Sequence, residues 1–476
     1  MYDVTVIGGG VCGAAVAYFL SGYKLDVCVL EKENDVAMGT TKANSGIIHA
    51  GYDPKPGTLM AKLNVRGSVL TEQICKEYGV PYKKTGSLVL AFDEKDDAHI
   101  KELYERGLRN GVKGLSVLSK EEVKKIEPNL NDSVVSALYA KTAAVVNPWR
   151  LCLAMSEAAA QNGTDFLFDF EVDKIEKTEN GFEVSSKGRK VETKYVVNAA
   201  GLYSDKIAKL IGAGDFEIKP SKGQYYLLDK TQSGLVNTVV FQCPTEKGKG
   251  VLVAPTADGN IIVGPDAENN NGRDDVSTTR EGLDYVAAEA AKSVANINYR
   301  DNIRSFAGLR AASTEEDFII GESNVKGFIN VAGIKSPGLS SAAAIGEYVV
   351  SILEKCGLKL TKRKNYIKPE AKKRFSEMTP EERAEACRKN PKYGNVICRC
   401  NTITEAEILD ALNMKLKPHT LDGVKRRAGT GMGRCQGGFC GPKVHSIICD
   451  YFKCSPEEIC LDRDGSFIVK GKVGEV

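Results

Sequence analysis

The chain has 476 residues, enough for two or three domains. It is 42% hydrophobic and 27% charged, as soluble globular chains are, and a formal charge of +3 gives no argument for a nucleic-acid partner. No apolar run reaches the ~18 residues that cross a bilayer. A strand-like pattern starts at Tyr2 and leaves no room for a leader, so the expectation is a cytoplasmic protein, held to a membrane only through partners.

Tyr2 to Ile7 is a short apolar run rich in β-branched residues, the mark of a buried strand. Gly8, Gly10 and Gly13 follow at G-x-G-x-x-G spacing, then an apolar, Ala-rich helix from Val11 to Leu20, then a second strand from Asp26 to Leu30. In a dinucleotide site Gly8 permits the tight turn, Gly10 lets a pyrophosphate approach the backbone, and Gly13 lets helix pack on strand. The helix N-terminus turns free N–H groups toward phosphates. Glu31, at the end of the second strand, is placed to accept from ribose hydroxyls and disfavours a 2′-phosphate. FAD and NAD remain as ligands.

Residues 33–60 are loop-rich, with His49 among small residues, and a helix follows over Ala61 to Tyr78. Strand and helix patterns mix from 85 to 150, with helices over Asp96 to Asn110 and Ser119 to Ile126, and another over Trp149 to Asn162. Lys190 to Asn198 is a strand running into Ala199-Ala200-Gly201 and a helix, a second strand–turn–helix unit. Residues 217–310 are strand-rich. Gly327 to Ala332 is a strand, 333–341 a Gly-rich turn, and Ala342 to Cys356 a helix. The nucleotide domain is thus built from distant segments, about 1–80, 145–215 and 310–356, with a mixed-sheet substrate domain in about 81–144 and 216–309. A discontinuous nucleotide fold favours FAD over NAD.

Residues 357–395 are a basic linker. Of the fourteen cysteines, eight fall from Cys387 onward, and clustered thiols in a reducing compartment point to metal or Fe–S ligation. Cys398-x-Cys400 and Cys435-x4-Cys440 provide four thiolates, enough for one [2Fe–2S] cluster or one zinc, although zinc ribbons favour C-x2-C pairs. Cys449, Cys454 and Cys460 lack paired spacing and read as core thiols. The module spans 396–460 and a tail 461–476.

VIGGGVCGAAVA, SGIIHAGYDPKPGTLMAKLNVRG, NAAGLYSD, PTADGNIIVGP, FAGLRAA and INVAGIKSPGLSSAAA together resemble the D-amino-acid-oxidase-type flavoproteins, in the branch of glycerol-3-phosphate dehydrogenases and L-2-hydroxyglutarate oxidases. ICRCNTITEAEI and GTGMGRCQGGFCGP resemble the bacterioferritin-associated-ferredoxin-like [2Fe–2S] domain, mostly helical. The resemblance implies an α/β fold with a Rossmann-like FAD domain. It implies that Gly8, Gly10, Gly13 and Glu31 hold the ADP half of FAD. By the same resemblance Thr41, Asn44 and Ser45 approach the pyrophosphate and flavin, Val172 touches adenine, and Ala200 and Gly201 line the ribityl side. Gly338, Leu339 and Ser340 face the pyrimidine edge, where a helix dipole favours the reduced flavin.

Oxidising a secondary alcohol needs a base for the O–H proton, and the imidazole of His49 suits that role. A structural histidine or a flavin attachment point are its other readings. Arg310 offers a bidentate clamp for an anionic substrate and Lys335 a second cation, with Tyr226 and Arg66 as weaker candidates. The flavin–cluster pairing resembles the catalytic subunit of anaerobic glycerol-3-phosphate dehydrogenases, and that resemblance implies a dehydrogenase of glycerol 3-phosphate passing single electrons to a partner, a second flavoprotein or other acceptor subunit. The Thr-Lys-Ala-Asn-Ser-Gly loop before His49 keeps L-2-hydroxyglutarate or a similar 2-hydroxy acid open as substrate. An electron-relay subunit of a larger complex is the reading from another class.

Overall fold

The computed structural model describes residues 1–244, 250–269, 272–471 and 474. Its organising layer is an eight-stranded sheet whose parallel centre runs Asp165–Leu167, Val27–Leu30, Tyr2–Ile7, Arg189–Asn198 and Phe328–Ala332. Val4 pairs with Val27 on one side and Tyr195 on the other, and Asn198 with Asn330. These strands come from three far-apart parts of the chain. Val27–Leu30 and Phe328–Ala332 are buried along their whole length, as suits a sheet covered on both faces. Lys174–Thr178 and Gly181–Ser186 extend it antiparallel at one edge.

One face is covered by the helices Val11–Ser21, Pro148–Gln161 and Gly338–Lys355. A Cβ on Gly13 would meet the carbonyl oxygen of Gly8 at 1.9 Å, so helix and turn touch only because that side chain is missing. The last helix begins at Gly338, four residues earlier than the sequence pattern suggests. Pro337 serves as its N-cap residue, and the carbonyl of Pro337 accepts from the Ser341 backbone N–H.

The second layer is a nine-stranded, mainly antiparallel sheet with one parallel pair, Ser87–Ala91 beside Val239–Gln242. Its longest hairpin joins Ile218–Leu228 to Asn302–Ser313. Arg310 therefore lies in a strand opposite Ser221, not in the turn its Gly-Leu-Arg context suggests. Gly308, just before it, leaves room for the Ala43 carbonyl, which a Cβ there would meet at 1.9 Å. A helix, Arg280–Ser293, interrupts the strand-rich stretch, capped by the Thr279 hydroxyl, which accepts from the Gly282 N–H.

Beyond residue 395 a two-stranded ribbon, Val396–Cys398 with Ile403–Thr404, leads into the helices Glu405–Leu412, Leu421–Ala428 and Gly441–Phe452. The residues after 460 fold back as well. Asp462 accepts from Lys42 at 2.6 Å and from Arg426 at 2.8 Å. Residues 472–473 and 475–476, the end of the stretch read as a tail, lie outside the described residues. Among the described residues no helix is long and apolar enough to cross a membrane.

Candidate active site and cluster site

One cavity of about 1680 Å³ runs from the glycine turn, past the long hairpin, to the cysteine-bearing domain. It exceeds the roughly 300–1,000 Å³ of a small-ligand pocket, as a dinucleotide together with a substrate demands. Gly8, Gly10, Glu31, Thr41, Asn44, Ser45, Val172, Ala200, Gly201, Gly338 and Leu339 all line it. Gly13 and Ser340 do not. Gly13 sets the helix on its strand, and Ser340 accepts at Oγ from the backbone N–H of His49 at 2.8 Å, pinning that loop to the last helix.

At the nucleotide end, Glu31 is buried and accepts from the N–H groups of Gly9 at 2.6 Å and Glu33 at 3.0 Å. Burial outweighs these bonds and pushes its carboxyl up to about 7. Thr41 Oγ1 accepts from the Val11 N–H at 3.0 Å, so the loop 40–42 is tied to the first turn of the glycine-loop helix. An acid at the second strand end, a bare glycine turn and a helix start opening on the cavity fit the ADP part of FAD.

His49, Arg310 and Lys335 come from three segments and line the same cavity. The His49 ring stacks on Phe241 at 5.6 Å, and its Nε2 lies 3.5 Å from Ser336 Oγ. Asn64 donates to the His49 carbonyl at 2.8 Å. Arg310 donates to Ser221 Oγ, the Lys222 carbonyl and the Asp266 carbonyl at 3.3, 3.4 and 3.1 Å. A Cβ on Gly223 would sit 2.4 Å from its guanidinium, so that glycine makes the room Arg310 occupies. Lys335 Nζ reaches the Glu315 carbonyl at 3.5 Å.

The two weaker candidates lie elsewhere. Tyr226 packs on Tyr299 in a cluster behind the sheet, because successive strand residues face opposite ways and Tyr225 takes the cavity side. Burial pushes the Tyr225 phenol up, and the adjacent Arg310 partly offsets this. Arg66 is on the surface, bidentate to Glu347. The sequence reading missed Tyr225, Phe241, Ser221 and Ser336. Only the period-two alternation of the hairpin strand could have singled out Tyr225.

Cys398 and Cys440 are buried at 2% exposure each, whereas Cys400 is exposed and lies 3.8 Å from Cys435, sulfur to sulfur. The thiol of Cys440 donates to Cys398 and, helped by the N–H groups of Asn401, Gly431 and Cys400, draws Cys398 down to about 6. The N–H groups of Phe439 and Gly437 serve Cys435 in the same way. Among the described residues no three His, Cys, Asp or Glu side chains converge on one ion; the four thiols lie as two pairs. Two thiolate pairs wrapped in backbone donors fit a two-iron cluster. Met432 and Gln436, flanking Cys435, line the large cavity.

A buried ion network joins the cysteine domain to the nucleotide domain. Asp35 accepts from Arg426 at 3.0 Å and from Arg427 at 2.8 and 2.9 Å. Burial alone would raise the Asp35 carboxyl, but Arg427 and Arg426 hold it below its ordinary value.

A sheet of distant parallel strands, a glycine turn ending at an acid and a substrate sheet closing over the same cavity define a flavoprotein oxidoreductase. The chain belongs to the FAD dependent oxidoreductase family, whose model matches residues 3–352, and a BFD-like [2Fe-2S] binding domain matches 396–449. It is 48% identical over 474 residues to a glycerol 3-phosphate dehydrogenase of Caloramator mitchellensis, covering 99% of this chain and 98% of that one. It is similar to the FAD-bound, dithionite-reduced L-alpha-glycerophosphate oxidase of Mycoplasma pneumoniae, with TM-score 0.73 and 35% identity over 77% of this chain and 97% of that one. An L-2-hydroxyglutarate dehydrogenase of Mus musculus is 36% identical over 55% of this chain and 60% of its own length.

Proposed function

We propose that this protein is an FAD-dependent dehydrogenase that oxidises sn-glycerol 3-phosphate to dihydroxyacetone phosphate, its electrons leaving through a [2Fe–2S] cluster to a protein acceptor. The observation that carries the reading is the meeting of His49, Arg310 and Lys335 in the cavity that begins at the glycine turn. The full-length similarity to a glycerol 3-phosphate dehydrogenase supports the choice of substrate.

FAD, which the residues around Gly8, Gly10 and Glu31 would hold, would supply a hydride acceptor for the carbinol carbon and a route for single electrons onward. The remaining work belongs to the chain. His49 takes the hydroxyl proton at its ring. Its backbone is held from both sides, by Ser340 and Asn64, and Phe241 covers one ring face from water. Arg310 anchors the anionic end of the substrate with the part of its guanidinium fork that faces the cavity, and Lys335 adds a second positive charge. Ser221, Lys222 and Asp266 hold that fork in place, so little side-chain freedom is lost on binding.

The test is an anaerobic titration of the purified protein with glycerol 3-phosphate and, separately, L-2-hydroxyglutarate, following the flavin band. Bleaching by glycerol 3-phosphate is the expected result; bleaching by the hydroxy acid alone would move the protein to the other substrate. Bleaching by neither would favour the electron-relay reading. Arg310→Lys keeps the charge and loses the fork, so KM should rise about 10- to 100-fold, the worth of roughly 1.5–3 kcal/mol for hydrogen bonds to an ion. The flavin spectrum should not change.

A further inference from the structure

The most exposed large apolar side chain among the described residues is Phe439, at 84%, and it lies in the loop between Cys435 and Cys440. An aromatic ring left in water beside a redox centre is costly unless something covers it. The cysteine-bearing segments carry one sign of charge. The two segments that bear the cysteines, 396–404 and 429–443, contain Arg399, Arg434 and Lys443 and no Asp or Glu. All three cations are exposed. Asp301 lies 3.6 Å from Arg434, which stays 65% exposed. Lys230, 3.4 Å from Asn401, adds a further cation at the edge.

The four thiols are ordered with respect to this patch. Cys398 and Cys440 are buried, while Cys400 is exposed and its partner Cys435 half-buried. Met432 and Gln436, either side of Cys435, reach the flavin cavity. The cluster site thus has one side toward the cavity and one toward water, and Phe439 stands on the outer side.

We propose that Phe439, together with the exposed Arg399, Arg434 and Lys443 of the same two cysteine-bearing segments, is the docking site of an acidic electron-carrier protein that collects electrons from the outer edge of the cluster. The proposal rests on the function argued above and names the chemistry of the acceptor. One electron passes per encounter: the reduced cluster is oxidised, the carrier's centre is reduced, and no bond or proton moves. Opposite charge steers the encounter and sets the register, and a buried aromatic anchor inside a charged rim gives the short-lived complex its affinity.

The experiment uses the full-length enzyme with FAD and cluster loaded, reduced by dithionite so that docking is measured apart from substrate oxidation. Two one-electron haem proteins serve as probes, the acidic soluble domain of cytochrome b5 and the basic cytochrome c. The acidic probe should be reduced faster, and its second-order rate should fall as salt rises. R434E/K443E should lower that rate at least tenfold, flatten its salt dependence and make cytochrome c the better acceptor. F439A should lower it severalfold and leave the salt slope alone. The reduced-cluster EPR signal should be the same in all forms.

Equal rates in wild type and both variants would overturn the proposal. So would loss of binding to phosphatidylglycerol vesicles in R434E/K443E with the acidic-probe rate intact, since the patch would then meet a membrane. Failure of glycerol 3-phosphate to bleach the flavin would instead strike the function and leave the docking result standing.

Discussion

The two redox sites of this molecule are built in opposite ways. The flavin cavity takes its walls from residues as far apart as Ile7 and Arg463, and no stretch of thirty residues contains more than a part of it. The cluster site takes its ligands from two short segments of one small domain, with donors from the same turns. One site exists only when the whole fold exists; the other is nearly local. Disturbance should therefore spread through the first and stay confined in the second.

Cys440→Ser tests the confined side and should have the largest effect. A buried ligand is lost, so the reduced-cluster EPR signal should disappear and transfer to the haem probes should stop. Glycerol 3-phosphate should still bleach the flavin at an unchanged rate. If bleaching also fails, the two sites are less separate than their construction implies. His49→Gln is the converse. Removing a general base costs about 10²–10⁴-fold, so the rate constant for flavin bleaching should drop by that factor in stopped-flow traces while the EPR signal after dithionite persists.

Asp35→Asn probes the seam between the sites. It leaves Arg426 and Arg427 with weakened partners at 4 and 6% exposure. Breaking a buried pair costs about 3–5 kcal/mol, and retention of the isosteric amide should keep the loss at the low end. A fall in melting temperature of several degrees is expected, with the cluster retained.

The smallest effect concerns Glu31. Its carboxyl is raised to about 7 in the apoprotein by burial, against an ordinary 4.5. The protonated form is the one the fold favours, so its stabilisation is full below pH 4.5 and is lost as pH rises through 7. Ribose hydroxyls donating to the carboxylate reverse the preference. FAD affinity should weaken by up to about tenfold per pH unit below 7. Glu31→Gln should flatten that dependence in fluorescence titrations of the apoprotein.

The same contrast explains what the sequence revealed. Tyr2–Ile7, Val11–Ser21 and Val27–Leu30 stand where the apolar run, the glycines and the Ala-rich helix place them, because each is decided by neighbours in sequence. The four clustered cysteines were legible for the same reason. Arg310 does line the cavity, but its Gly-Leu-Arg context suggests a turn where there is a strand, since small residues in a strand look like a turn until the partner at Ile218–Leu228 is known. Alternation puts Tyr225 and Tyr226 on opposite faces, but which face meets the cavity is set by the distant partner strand, so Tyr226 reads as the candidate although Tyr225 takes that side. Ser336 and Phe241 gain their place beside His49 only through contacts across some two hundred residues or more. The helix Arg280–Ser293 was lost inside a stretch whose strand count dominated the reading.

The pairing of Lys42 with Asp462 has a consequence for biogenesis. Partners 420 residues apart cannot meet until the cysteine-bearing domain has been made, long after Lys42 itself. The early glycine turn can form soon after leaving the ribosome and Thr41 can tie the next loop to it, yet Lys42 waits for its partner. Newly made molecules should therefore pass through a stage that samples its dinucleotide loosely, with tight retention beginning only once the cysteine-bearing domain has docked.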